Sequence, residues 1–129
     1  MMTWSISWSW QAPSRISCTA AVEGGVVISS GLELYLLEFD GSKRWSIKTP
    51  FKVHSIHYNN GVLAALAAHG FYVISTTDGS MIHDGRSTYG GFTDVISRPG
   101  GGWILAGKEG QIHLFSHEGI GIKRFETGK

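Results

Sequence analysis

An acidic residue followed by glycine occurs three times in this chain, each time just after an apolar run. The pairs are Asp40-Gly41, Asp78-Gly79 and Glu118-Gly119, at intervals of 38 and 40 residues. A fixed period of about 40 residues indicates a repeat architecture in which each repeat is one supersecondary unit. The 129 residues therefore predict three repeats in succession.

Each repeat contains four segments with the composition of β-strands. An apolar strand follows a glycine-rich turn, and a second apolar strand leads to the acidic-glycine turn. An alternating, more polar segment follows that turn, as expected of a half-exposed outer strand. The remaining strand precedes the glycine-rich turn and is the first of its repeat in chain order. The first strands of the three repeats are Ile16 to Val22, Val53 to Tyr58 and Phe92 to Ser97. The strands before the acidic-glycine turns are Leu34 to Phe39, Phe71 to Ser75 and Gln111 to Ser116.

Three such four-stranded meanders predict an all-β chain that forms three antiparallel blades of a β-propeller. The predicted blades cover about residues 15–50, 51–91 and 92–127 within a single unit of residues 1–129. The 18 glycines against 3 prolines agree with this prediction, because short strands joined by tight hairpin turns require glycine.

The Asp40-Gly41 turn with the following Lys43-Arg44-Trp45 resembles the blade signature of the WD40-like and quinoprotein-like (PQQ-repeat) propellers. In that signature an aspartate-glycine turn precedes a strand that carries tryptophan. The resemblance covers roughly residues 15 to 125 and places His83 and Phe125 where the first repeat has Trp45. It implies propeller topology, without the Trp-Asp and Gly-His pairs of true WD40 repeats. No residue matches the ligands of pyrroloquinoline quinone, so the resemblance implies no cofactor.

The N-terminal segment predicts a thirteenth strand over residues 3–10. Serines alternate there with Trp4, Ile6, Trp8 and Trp10, which gives the strand one hydrophobic face. Closed propellers have about 4 to 8 blades, so three blades cannot complete a ring but two copies of the chain can. We predict a homodimer that closes a six-bladed ring, with these four residues at the junction with the partner's last blade. The alternative is that the chain is a fragment of a longer propeller.

Charge and cysteine content restrict the partners and the compartment. The net charge is +1 and the basic residues are scattered, which disfavours nucleic acid as a partner. No stretch has the length of a membrane span, and the N-terminus lacks the pattern of a signal peptide. Cys18 is the single cysteine and has no intramolecular partner, so we expect a cytoplasmic protein.

Catalytic and metal-binding patterns are not evident. His113 and His117 would lie roughly 13 Å apart on an extended strand, too far to share one metal ion. There is no Gly-x-Ser-x-Gly nucleophile elbow. Asp40 and Asp78 fit hairpin turns, in which carboxylates accept bonds from nearby backbone amides. We therefore predict no enzyme, no catalytic residue, no metal site and no cofactor.

The loops between blades form the predicted binding surface, because surface loops on a rigid scaffold usually carry function. The predicted contact residues are Arg86 and Tyr89 first, and then Phe51, His69, Phe71 and Lys108. Arginine and tyrosine lead because they are favoured interface anchors. The main hypothesis is a non-enzymatic scaffold that binds a protein or peptide. The second is a lectin-like oligomeric propeller whose aromatic residues stack on a glycan.

Overall fold

A computed structural model describes residues 8–86 and 91–126, and these residues form three antiparallel sheets of four strands each. Blade 1 contains β1 (Ile16–Val22), β2 (Gly25–Ser30), β3 (Glu33–Glu38) and β4 (Lys43–Lys48). Blade 2 contains β5 (Val53–Asn59), β6 (Val62–Ala67), β7 (Gly70–Ser75) and β8 (Met81–Arg86). Blade 3 contains β9 (Phe92–Ser97), β10 (Trp103–Gly107), β11 (Gln111–Phe115) and β12 (Gly121–Glu126). The predicted all-β fold of four-stranded blades is confirmed.

Blade 2 is the middle layer of the stack. All six residues of β6 are buried, because this apolar strand is covered by a sheet on each side. In contrast, all six residues of β12 are exposed at the outer edge of blade 3. Among the described residues no helix is long and apolar enough to cross a membrane.

Alternation along the strands gives each blade two packing faces. We name the face toward the following blade the forward face, and the face toward the preceding blade the rear face. Leu36 on the forward face of blade 1 shares a core with Tyr72 on the rear face of blade 2. Val73, the next residue along β7, points the other way and shares a second core with Trp103 of blade 3. The inner strands β1, β5 and β9 lie side by side in chain order.

The described residues form an open arc. One core joins blades 1 and 2 and the other joins blades 2 and 3, and no such core joins blade 3 to blade 1 in the part of the chain that the structure describes. The forward face of blade 3 and the rear face of blade 1 are therefore the two ends of the arc.

The acidic-glycine turns are hairpin turns that connect the third and fourth strands of each blade. The Oδ1 atom of Asp40 accepts hydrogen bonds from the Ser42 amide at 2.9 Å and from its hydroxyl at 2.6 Å. Asp78 Oδ1 accepts from the Ser80 amide at 2.9 Å. Bonds from Ser42 lower the pKa of Asp40, and bonds from Ser80 lower the pKa of Asp78. These carboxylates hold turns, as their sequence position indicates.

The predicted N-terminal strand is only partly within the described residues. Trp4 and Ile6 lie outside them, and residues 8–10 belong to no strand. The Trp8 indole Nε1 donates to the Phe39 carbonyl at 2.7 Å, and the Trp10 ring lies 5.0 Å from the Tyr35 ring. The described part of this segment therefore packs against blade 1 of its own chain, because that blade has an apolar rear face to cover.

Candidate functional site

One side of the arc, where strands of all three blades end, carries the loops that the sequence predicts as the binding surface. The Thr49 amide donates to the Leu32 carbonyl at 2.9 Å, which joins the linker after β4 to the β2–β3 turn. In the same way the Lys108 amide donates to the Gly91 carbonyl at 3.2 Å, joining the β10–β11 turn to the residue before β9. We name this surface the loop end, and it comprises residues 31–32, 49–52, 68–70, 91 and 108–110.

Three of the six predicted contact residues lie at the loop end. The rings of Phe51 and His69 meet edge to face with centroids 6.1 Å apart. His69 and Lys108 are exposed, whereas Phe51 is half-buried against the core between blades 1 and 2. The loop end therefore combines a shielded aromatic ring with exposed polar and basic side chains.

The other three predicted contact residues do not add to this surface. Tyr89 lies outside the described residues, and Arg86 is the last residue of β8, with its side chain outside the description. Phe71 is 2% exposed and packs 4.9 Å from the Phe115 ring in the core between blades 2 and 3. A role in surface binding does not fit Phe71, because its place in β7 turns it toward blade 3.

Three of the described histidines, His83, His113 and His117, pack against aromatic rings. His117 stacks parallel to Trp103 with centroids 6.2 Å apart, and the Trp103 indole donates to the His117 carbonyl at 3.2 Å. His113 lies edge to face with Phe92 at 5.2 Å. Burial, with a smaller effect of the nearby Arg124 charge, lowers the pKa of His113. Within residues 8–86 and 91–126, no three histidine, cysteine or acidic side chains group closely enough to hold a metal ion.

The forward face of blade 3 is apolar and uncovered. Five of its residues line a shallow groove of about 130 Å³, and we name them the open face: Asp94, Ile96, Ile104, Ala106 and Ile112. The strand register places Ile112 where blade 1 has Leu34 and blade 2 has Phe71. Leu34 is 0% exposed and Phe71 is 2% exposed, but Ile112 is 37% exposed. The side chain at this position is thus covered by the next blade at both internal junctions and exposed at the end of the arc.

The opposite end of the arc has a matching exposed residue on its inner strand. Ile16 pairs with Ser30, as Val53 pairs with Ala67 and Phe92 with Gly107, so the three apolar residues occupy equivalent positions. Val53 is 0% exposed and Phe92 is 9% exposed, whereas Ile16 is 46% exposed. Ile16 therefore lacks the cover that a preceding blade gives to its two equivalents.

An aromatic ring covers each acidic-glycine turn. Trp45 of blade 1 lies over Gly79 of blade 2, and His83 of blade 2 lies over Gly119 of blade 3. A Cβ atom built on either glycine would stand 2.8 Å from the covering side chain, so these turns require glycine for close approach.

No blade precedes blade 1 within the described residues, yet its turn is covered too. The ring of Trp8 lies over Gly41, 3.0 Å from the place of an added Cβ atom. The covering residue comes from the N-terminal segment instead of an outer strand. The alternation of tryptophan and serine indicated a hydrophobic face there, but gave no sign of which turn it covers.

The strand register corrects the position that the repeat comparison gave for the third blade. Trp45 pairs with Leu36 and His83 pairs with Val73, and the residue at the same place in blade 3 is Lys123, which pairs with Leu114. Phe125 lies two residues farther along β12 and pairs with Ile112. Each outer strand has a bulge near its start, so the residue that is equivalent to Trp45 lies at the same sequence distance from the turn glycine in all three blades. In blade 3 that residue is Lys123.

No protein-family model matches this chain, and neither does any curated protein. Solved structures do match it. BamB from Moraxella catarrhalis has a TM-score of 0.84 at 15% identity over 97% of this chain, and U3-55K has 0.80 at 8% identity over 93%. The computationally designed Ika4 protein has a TM-score of 0.82 at 12% identity over 99% of this chain. These likenesses show the β-propeller fold.

The lengths of these structures differ from that of the chain. It spans 42% of the BamB chain and 42% of the U3-55K chain, but 82% of the Ika4 chain. The longer proteins thus contain more than the three blades that align with this chain.

Proposed function

We propose that this chain is a non-enzymatic β-propeller scaffold that assembles with a second copy of itself and binds a protein or peptide through its loop end. One observation carries the proposal: the open face is apolar and uncovered, although the positions equivalent to Ile104, Ala106 and Ile112 are buried at both internal junctions. Two copies supply six blades, which is within the range of closed propellers.

The energetics of the open face support self-association. Burying an isoleucine side chain completely contributes about 1.5 to 3 kcal/mol relative to leaving it in water. Ile96 and Ile112 on the open face and Ile16 at the other end are all large, exposed hydrophobic residues. A junction between the open face of one copy and the opposite end of the other buries these side chains and so stabilises the assembly. A ring of two copies contains two such junctions.

The comparison structures support two ways of covering the open face. Ika4, of which this chain covers 82%, is of similar length, so a chain of about this size can fold as a propeller protein. BamB is more than twice as long as its aligned region, and this favours the second candidate, a fragment whose further blades cover the face. The lectin hypothesis has no observation in its favour, since Trp45 and Trp103 are buried at blade junctions.

The composition of the loop end supports protein or peptide binding. His69 and Lys108 are exposed there, and Phe51 gives an aromatic edge beside His69. Aromatic and basic groups on loops of a rigid scaffold suit the recognition of a polar or acidic peptide. We also propose a cytoplasmic location, which the single, unpaired Cys18 thiol supports.

Substitution of the open face tests the self-association. In Ile112→Glu a carboxylate enters the open face, and we expect the sedimentation equilibrium mass to fall from twice 14.0 kDa to 14.0 kDa. Leu32→Glu is the matched control, because Leu32 is an exposed apolar residue in the β2–β3 turn of the loop end and not in the open face. If Ile112→Glu keeps the mass of the wild type, the open face does not form the interface.

A peptide-display selection against the assembled wild-type protein tests the binding role. We expect a saturable peptide whose binding is lost in His69→Ala and Lys108→Ala but retained in Lys43→Ala, an exposed site in β4 away from the loop end. A peptide that is lost equally in all three variants, or no saturable peptide at all, would contradict binding through the loop end.

A further inference from the structure

The internal junction between blades 1 and 2 shows how inner strands meet. The Ser17 hydroxyl donates to the Val53 carbonyl at 2.8 Å, and the Cys18 Sγ atom lies 3.7 Å from the same oxygen. The residue pair Cys18 and Val53 therefore defines which positions of two successive inner strands face each other.

At the ends of the arc, one of these two positions holds a charged residue, and the residue beside the other position holds the opposite charge. Asp94 pairs with Ala106 as Cys18 pairs with Ser29, and the register makes Asp94 the blade 3 equivalent of Cys18. The equivalent of Val53 on blade 1 is Ile16, and the exposed Arg15 is the residue beside it. Repeating the internal geometry across the gap thus brings a carboxylate opposite an isoleucine and a guanidinium.

The outer strand of blade 3 and the acidic-glycine turn of blade 1 are complementary in charge as well. Lys123 occupies the position of Trp45, which lies on the next blade's acidic-glycine turn. The corresponding turn at the start of the chain contains the exposed carboxylate of Asp40, and Trp8 already covers Gly41. A lysine in blade 3 fits this arrangement, since a second aromatic ring at the same place would compete with Trp8.

We infer that the open face of blade 3 binds the inner-strand part of the rear face of blade 1 of a second copy, which the N-terminal segment leaves exposed at Ile16, with Asp94 opposite the second copy's Arg15 and Ile16. The inference rests on the proposed self-association and specifies its contact. Trp8 takes the place of the aromatic residue that blade 3 lacks. The junction is heterologous, and two identical junctions close the ring.

Charge also argues against the simplest alternative contact. If two open faces met each other around a two-fold axis that passes near Asp94, this carboxylate would lie close to its copy in the partner. Like charges placed opposite each other across an interface disfavour association, whereas an aspartate opposite an arginine favours it. The open face therefore suits blade 1 of a second copy better than it suits another open face.

Mixing two charge-reversal variants tests this contact. Asp94→Arg and Arg15→Asp each place like charges at both junctions of a homodimer, and we expect each variant alone to associate about tenfold or more weakly than the wild type. In an equimolar mixture, one copy of each variant restores opposite charges at both junctions. Native mass spectrometry should then show a one-to-one complex of the two variants with the association of the wild type.

The controls separate the contact from folding and from nonspecific charge effects. Glu109→Arg and Lys52→Asp reverse exposed charges in the turns of the loop end and should assemble like the wild type. Far-ultraviolet circular dichroism of Asp94→Arg and Arg15→Asp checks that both variants fold. Restored association in the mixture requires that both variants are folded, so it is a second check on their folding.

The outcomes distinguish this contact from the proposed function. If the wild type is a dimer but the mixture associates no better than either variant alone, the contact is wrong and self-association stands. If both variants dimerise like the wild type, Asp94 and Arg15 do not face each other. A wild type that stays at 14.0 kDa would overturn self-association together with this contact.

Discussion

Trp45 lies on Gly79 across the junction between the first two blades. The indole Nε1 donates to the Thr76 carbonyl at 2.9 Å, and an added Cβ atom on Gly79 would stand 2.8 Å from the ring. The outer strand of one blade is thereby fixed to the turn of the next by a hydrogen bond and a close contact. This relationship sets the distance between blades at the outer edge of the arc.

Replacing the glycine tests the close contact. Gly79→Ala should lower the free energy of unfolding by about 1 to 3 kcal/mol more than Gly61→Ala, since the added methyl forces the indole away. Both glycines have positive φ, 76° for Gly79 and 84° for Gly61, but Gly61 has open space where the Cβ atom would lie. Urea denaturation of the two variants measures the difference. Equal losses would show that the ring contact contributes nothing.

Truncating the covering tryptophans compares an internal junction with an end of the arc. Trp45→Ala should reduce the free energy of unfolding by about 3 to 5 kcal/mol, because a buried indole leaves a cavity in the core. Trp8→Ala should cost less, since Trp8 is 37% exposed and packs on one blade only. A larger loss for Trp8→Ala, measured on the monomer by urea denaturation, would contradict this difference in packing.

The turn carboxylates predict a loss of stability in acid. The pKa of Asp40 and of Asp78 is lowered in the folded chain below the ordinary value of 3.8, mainly by bonds from Ser42 and Ser80. Their contribution is complete above pH 3.8 and is lost as the pH falls through the lowered pKa. Asp40→Asn with Asp78→Asn should therefore flatten the acid decline of the unfolding free energy. Glu109→Gln should keep the wild-type decline, and an unchanged decline in the double variant would refute the prediction.

The Cys18 thiol should react slowly in the folded chain. Burial raises its pKa, opposed by weaker effects of the Ser17 and Ser29 hydroxyls, so less thiolate is present at neutral pH. We expect a disulfide reagent such as dithionitrobenzoate to modify the native chain more slowly than the urea-unfolded chain. Equal rates in the two states would mean that Cys18 is accessible.

Much of the strand order could be predicted from the sequence. The period between Asp40, Asp78 and Glu118 located the turns, and β1 and β9 have the predicted bounds. Such local signals are reliable because turn glycines and alternating side chains reflect backbone geometry directly. The assembly of two copies stays a prediction, because the sequence records no partner.

The site was harder to predict because it depends on which face each side chain occupies. As an aromatic residue near a turn, Phe71 has the sequence features of a binding residue, but its position in β7 directs it into the core between blades. Composition alone favours Phe125 over Lys123, since it does not fix the register of an outer strand. The exposure of Ile16 and Ile112 likewise follows from the ends of the arc, which no local pattern shows.

The mass of the wild-type chain in solution tests the central claim most directly. Light scattering coupled to size-exclusion chromatography at micromolar concentration should give a single species of twice the 14.0 kDa subunit mass, as two half-rings require. A single species of 14.0 kDa across the same concentration range would contradict the proposal that the arc is completed by a second copy.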